Sequence, residues 1–207
     1  TIAGAAIEAQ TSPGLTIAEC SSYQTQFGFV ASRSPRTKMV GLNPSSTVTG
    51  VNIGRTVKIS GGSNFSTLTG SASADANLTA CRIENAAYCT VAGCTFLAYS
   101  AGENGAAAVG ISGDATLSHH NAVTGNTIYG GNAQASGVSL VYDTAGINTY
   151  NTVSGNVISE CVRYAVYVGS SKATHERMLA HKGMLVRGAH FNPHLQSTWA
   201  KYGAADF

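Results

Sequence analysis

Between residues 48 and 169 the apolar side chains recur in short bursts that alternate with small polar residues, with no 3.6-residue helical period. The bursts repeat as a unit. Thr90-Val91-Ala92-Gly93-Cys94-Thr95-Phe96 aligns with Ala122-Val123-Thr124-Gly125-Asn126-Thr127-Ile128, and both align with Thr152-Val153-Ser154-Gly155-Asn156-Val157-Ile158. Their central glycines, Gly93, Gly125 and Gly155, are almost evenly spaced. Thr67-Leu68-Thr69-Gly70-Ser71-Ala72-Ser73 and Thr47-Val48-Thr49-Gly50-Val51-Asn52-Ile53 are weaker copies, centred on Gly70 and Gly50 at shorter intervals. In each strong unit one apolar residue stands on either side of a Gly-Asn or Gly-Cys bend, which predicts two short strands meeting at a corner. A further apolar strand follows each: Val109-Gly110-Ile111, Val138-Ser139-Leu140-Val141 and Val166-Tyr167-Val168.

One such coil has too little surface to bury its own inward face. Stacked coils do, because each strand pairs with its equivalents about 4.8 Å above and below. The bend position reads Cys94, Asn126 and Asn156 in successive coils, and the position five residues earlier reads Cys89, Asn121 and Asn151. In-register asparagines predict amide ladders along the stack, with cysteine as a small apolar substitute. The expected fold is all-β, a parallel β-helix over residues 48–171, with a non-repeating cap at residues 1–47 and another cap or oligomer clamp at 172–207. The Thr37-Lys38-Met39-Val40-Gly41-Leu42 stretch is expected to add an early strand, and His175 to Lys182 a short helical turn closed by Gly183.

Composition agrees with a solenoid. Charged residues make up 11% of the chain and glycine contributes 24 residues, unlike a helical domain rich in Leu, Glu and Lys. A net charge of +2 is too weak to argue for nucleic acid or an anionic membrane. Residues 1–171 hold seven Lys and Arg against eight Asp and Glu, whereas residues 172–207 hold five against two and four of the six histidines. No apolar run approaches the roughly 20 residues of a bilayer span, and the N-terminus lacks the order of a signal peptide. The abrupt start at Thr1-Ile2-Ala3 is expected of a piece of a longer chain. Five cysteines, Cys20, Cys81, Cys89, Cys94 and Cys161, are an odd number without a C-x-x-C pair, which argues for a reducing compartment over a disulfide framework.

With its V-x-G-N-x-I units and recurring asparagines, the chain resembles the right-handed parallel β-helix of pectate-lyase-like proteins, especially the tailspikes of tailed bacteriophages. The resemblance covers the coils and neither end. It implies a homotrimer in the virion tail that joins other tail proteins, binds or cleaves bacterial surface polysaccharide, and assembles in the cytoplasm of the host bacterium.

Candidate chemistry is sparse, with ten acids in all. Aligning residues 109–114 with 138–143 puts Asp114 and Asp143 at one coil position, one repeat apart. Stacked carboxylates repel and raise one pKa, which suits the acid and base of a glycoside hydrolase. Both also sit just past a strand, where aspartate is a routine turn former. His119, His120, Tyr129 and Tyr142 are the candidate glycan contacts, from a wider tyrosine set that includes Tyr88 and Tyr150, because phenols pack on sugars and bond their hydroxyls. A lyase needs a base near a cation, and Arg82, Glu84, Glu103, Glu160 and Arg163 share no register. His190-x-x-x-His194 has metal-like spacing, but Pro193 breaks the helix that would align the rings. No metal or cofactor is expected. Two readings follow: a glycan-binding tail component, and an active depolymerase of the same fold.

Overall fold

The computed structural model describes residues 2–23, 25–45, 55–76, 79–98, 107–113, 118–129, 136–142, 148–159, 165–169 and 185–187. These residues form a parallel β-solenoid, with no helix among them. Every strand pair is parallel, and the chain passes repeatedly through three sheets, one strand per sheet in each coil. The first sheet stacks Ile2–Gln10, Thr25–Ser32, Arg55–Ser60, Thr79–Glu84, Ala107–Gly113, Ser136–Tyr142 and Val166–Gly169. The second stacks Thr16–Ala18, Lys38–Val40, Thr67–Thr69, Thr90–Ala92, Ala122–Thr124, Thr152–Ser154 and Leu185–Arg187. The third contains Ser21–Tyr23, Asn43–Ser45, Ala72–Ala76, Thr95–Ala98, Thr127–Tyr129 and Val157–Ser159. Ser118–His119 and Asn148–Thr149 add a short pair on the way from the first sheet to the second.

The three strong sequence units stack in the predicted register: Val91 opposite Val123 opposite Val153, and Phe96 opposite Ile128 opposite Ile158. So do the following strands, with Val109 opposite Val138 opposite Val166. The inward residues of all three sheets, among them Phe29, Met39, Leu68, Val91, Phe96, Ile128 and Leu140, are buried in one continuous core. At the inner corner the fit is tight. A β-carbon on Gly137 would stand 2.5 Å from Ile158 Cγ2 and 2.6 Å from the Ala165 carbonyl oxygen, so this coil accepts no side chain there.

The stack begins earlier than the sequence repeat suggests. Residues 2–45, expected as a cap, supply two strands to each sheet. The unit preceding Thr67–Thr69 is Lys38–Val40, paired Lys38 to Thr67 and Met39 to Leu68. The sequence repeat puts Thr47-Val48-Thr49 in that place instead, and residues 46–54 lie outside the described residues. The physical reason is that Ile17 and Met39 fill the inward position without the valine signature, and Glu19 takes the positive-φ bend position that Gly41 and Gly70 hold in the next coils. At the other end Leu185–Arg187 pairs with Thr152–Ser154, so part of the segment expected to be a C-terminal cap joins the second sheet. The helical turn expected at residues 175–182 falls outside the described residues.

Buried ladders hold the corners. Where the corner residue is asparagine or serine, its side-chain oxygen accepts a backbone amide of the coil before it. Asn121 Oδ1 takes Cys89 N at 2.9 Å, Asn151 Oδ1 takes Asn121 N at 2.9 Å, Asn126 Oδ1 takes Cys94 N at 2.9 Å and Asn156 Oδ1 takes Asn126 N at 2.9 Å. Earlier coils substitute serine: Ser66 Oγ accepts Thr37 N at 3.2 Å and Ser71 Oγ accepts Leu42 N at 3.0 Å. Cys81, Cys89 and Cys94 are buried free thiols, and Cys20 is half-buried. Burial pushes Cys81 well up, Cys89 up to about 11, and Cys94 up, so these three pack as apolar groups, not as nucleophiles.

Candidate functional site: an exposed aromatic column

Two residues before each strand of the second sheet, one register position reads Gly14, Arg36, Phe65, Tyr88, His120 and Tyr150. All six have positive φ, between 54° and 76°. A left-handed conformation at a bulky residue is strained by about 1 kcal/mol or more, and glycine relieves it. The next corner of the same coils is built that way, with Gly41, Gly70, Gly93, Gly125 and Gly155 at φ of 55° to 63°. The first corner instead carries rings.

Those rings stack along the axis. Phe65 and Tyr88 have centroids 4.9 Å apart and planes 5° apart; Tyr88 and His120 are 5.1 Å and 18°; His120 and Tyr150 are 5.1 Å and 25°. Coil spacing sets the distance, and the backbone fixes the direction: Phe65 N donates to Ala87 O at 3.0 Å and Tyr88 N to His119 O at 3.0 Å. Phe65, Tyr88 and Tyr150 nonetheless remain 55%, 45% and 55% exposed. Each stacked pair contributes about 0.5–1.5 kcal/mol, a magnitude similar to the local strain. Stability therefore gives little reason to prefer rings to glycine at this corner.

His119 braces the column from the side. Its ring meets Tyr88 edge-on at 5.1 Å and His120 edge-on at 5.0 Å, and its Nδ1 lies 2.8 Å from His120 Nδ1. That contact is a hydrogen bond only when one of the two nitrogens carries a proton and the other does not. Partial desolvation, and secondarily the charge of His120, hold His119 below its ordinary value.

Of the candidate glycan contacts, His119 and His120 thus belong to one cluster with Tyr88 and Tyr150. Tyr129 lies half-buried in the third sheet, opposite Leu97 and Ser159, and does not belong to the column. Tyr142 ends a strand of the first sheet, opposite Gly113. Asp114 and Asp143, the next residues along, fall outside the described residues, as do Glu103, Glu160, Arg163, His190 and His194. Arg82 and Glu84 lie two residues apart on one strand and share no register position; Arg82 pairs with Lys58 across adjacent strands, and Glu84 binds Arg82 Nε at 2.9 Å and Lys58 Nζ at 3.6 Å. This is an ion cluster of two cations on one carboxylate, on the outer face of the first sheet.

Sequence reasoning missed Phe65, and it read Arg36 with Arg33 and Lys38 as a basic cluster of the entry cap, without its register to the rings. The signal was available in the spacing of two residues before each Thr-Leu-Thr or Thr-Val-Ala strand, but it recurs in residue position and not in residue type. No cluster of three or more metal-ligating side chains occurs among the described residues. Comparison with family models, curated proteins and solved structures finds no match to this chain. The fold and the site define a parallel β-solenoid that displays a column of stacked, exposed aromatic residues.

Proposed function

We propose that this chain is the β-solenoid part of a rigid appendage that binds a bacterial surface polysaccharide, as the trimeric tailspikes and fibres of tailed phages do. The exposed column from Phe65 to Tyr150 carries this reading. It offers ring edges, phenol hydroxyls and imidazole nitrogens at about 5 Å steps along a stiff axis. A glycan combines apolar C–H patches with hydroxyls and repeats along its length, so it complements such an edge. Stacked rings shield one another's faces, which leaves the edges as the binding surface.

Glycine substitution supplies the test because the left-handed backbone accepts it. Tyr88→Gly and Tyr150→Gly are expected to stay folded, with stability within about 2 kcal/mol of the parent, and to lose retardation in gels containing host surface polysaccharide. Retardation unchanged in the double variant would sink the column as the binding surface. Sedimentation equilibrium checks the trimer, and a monomer throughout the micromolar range would count against it.

A second reading, glycan cleavage, draws on the paired Gly113 and Tyr142, the residues immediately before Asp114 and Asp143. An active depolymerase releases reducing ends or unsaturated uronates, and Asp114→Asn or Asp143→Asn should abolish that release. Undiminished product in both variants removes the pair.

A further inference from the structure

The turns joining the first sheet to the second carry an uneven set of charges. Their described residues, 11–16, 33–38, 61–67, 85–90, 118–122 and 148–152, include Arg33, Arg36, Lys38, His119 and His120 and not one Asp or Glu. Arg33, Arg36 and Lys38 are all exposed and lie in a single turn. None of the three is ion-paired among the described residues, whereas Lys58 and Arg82 on the first sheet both sit on Glu84. Arg36 occupies the column's own register position, one coil before Phe65. Its backbone shares the left-handed conformation, φ 61°, and its N donates to Asn64 O at 2.8 Å, so its side chain starts where the rings do. Arg33 lies over the next coil, its Cγ 3.4 Å from the point where a β-carbon on Gly61 would be.

One continuous strip therefore has an unneutralised cationic end and an aromatic edge. An unpaired cation cluster beside hydrogen-bonding ring edges selects a polymer that has both hydroxyls and anionic groups. Taking the glycan-binding reading as given, we infer that the ligand is an anionic polysaccharide, lying along the solenoid axis with its acidic groups against Arg33, Arg36 and Lys38 and its sugar hydroxyls along Tyr88, His120 and Tyr150. Single-stranded nucleic acid also pairs cations with aromatics, but it binds through ring faces on which bases stack. Between Phe65 and Tyr150 those faces are filled by neighbouring rings. Ser118–His119 and Asn148–Thr149, where the chain rejoins the strip after Asp114 and Asp143, lie three and four coils from Arg36, about 14 Å and about 19 Å at the spacing of stacked strands.

Affinity electrophoresis of the 207-residue chain tests this, with alginate as the anionic glycan, dextran as the neutral one and a thymidine oligonucleotide as the competing class. Alginate should retard the protein, increasingly so as salt is lowered, and dextran should retard it at least tenfold less. The triple variant Arg33→Gln, Arg36→Gln, Lys38→Gln should weaken alginate retardation by roughly tenfold or more, while Lys58→Gln, a cation away from the strip, should leave it unchanged. An unshifted melting temperature shows that the triple variant is folded. Equal retardation by dextran and alginate overturns the anionic ligand and leaves glycan binding standing. Full alginate binding by the triple variant, or an equal loss in Lys58→Gln, overturns the strip. Tighter binding of the oligonucleotide than of alginate overturns the ligand class, and no retardation by either polysaccharide overturns this inference together with the function on which it rests.

Discussion

Each ring of the column is held by the backbone conformation of its own residue, and His119, braced against it, carries the consequence for pH. His120 is sandwiched between Tyr88 and Tyr150 and shares its Nδ1 contact with His119. Doubly protonated, the two imidazoles lose that hydrogen bond and repel. His119 is held below its ordinary value in the folded chain, so near and below that value the unfolded chain binds the proton more tightly. The stability it contributes is complete above an ordinary histidine pKa of about 6.5, and is lost as pH falls through the lower folded value. Chemical denaturation at pH 8 and pH 5 should therefore show a smaller pH 8 to pH 5 loss in His119→Gln than in the parent. Equal losses would mean that the pair is not coupled to folding.

At the level of the coil, the corner ladder sets register where three-residue strands are too short to do so alone. Asn126 illustrates the demand. It accepts from Cys94 N at 2.9 Å and donates from Nδ2 to Val91 O at 3.0 Å and Asn156 Oδ1 at 2.9 Å, all while buried. Asn126→Ala strands these partners in the interior and should lower stability by about 3 kcal/mol. Asn126→Ser should lose distinctly less, because Ser71 at the same position two coils earlier accepts the amide of Leu42. Urea titration of the two variants decides it: equal losses would show that the side-chain oxygen does not cap the amide of the coil below.

Across the whole molecule, each coil gains its stability from neighbours, so protection should grade along the axis. Middle strands such as Arg55–Ser60, Thr79–Glu84 and Ala107–Gly113 are paired on both sides, whereas among the described residues Ile2–Gln10 and Val166–Gly169 are the outermost strands of the first sheet and are paired on one. Amide hydrogen exchange is expected to be slowest in the middle three and fastest in the two end strands. Uniform exchange would indicate a single cooperative unit and remove the nearest-neighbour picture. Rigidity along this axis keeps the rings at fixed steps, which suits a polymeric ligand.

How much of this was legible follows from how each feature is encoded. Valine at a fixed offset from glycine, with asparagine one residue beyond that glycine, declares an inward strand and a bend within a single short unit, so the coils around Val91, Val123 and Val153 and their ladders could be read directly. The coils before Thr67 were hidden because Ile17 and Met39 satisfy the same packing with different side chains, and only pairing geometry exposes the equivalence. His119 and His120 could be named from their neighbourhood and Arg36 as part of a basic cluster, but neither Phe65 nor the register of Arg36 with the rings could. A stack of Arg, Phe, Tyr, His and Tyr keeps a location and a backbone angle, while its chemistry changes at every step. By itself, then, the amino-acid sequence determined the strand period, the parallel stacking and the buried amide ladders, because local alternation and turn chemistry dictate these. The tertiary structure alone decided which residues share a surface strip, since rings a full coil apart along the chain meet only when successive coils close on one another.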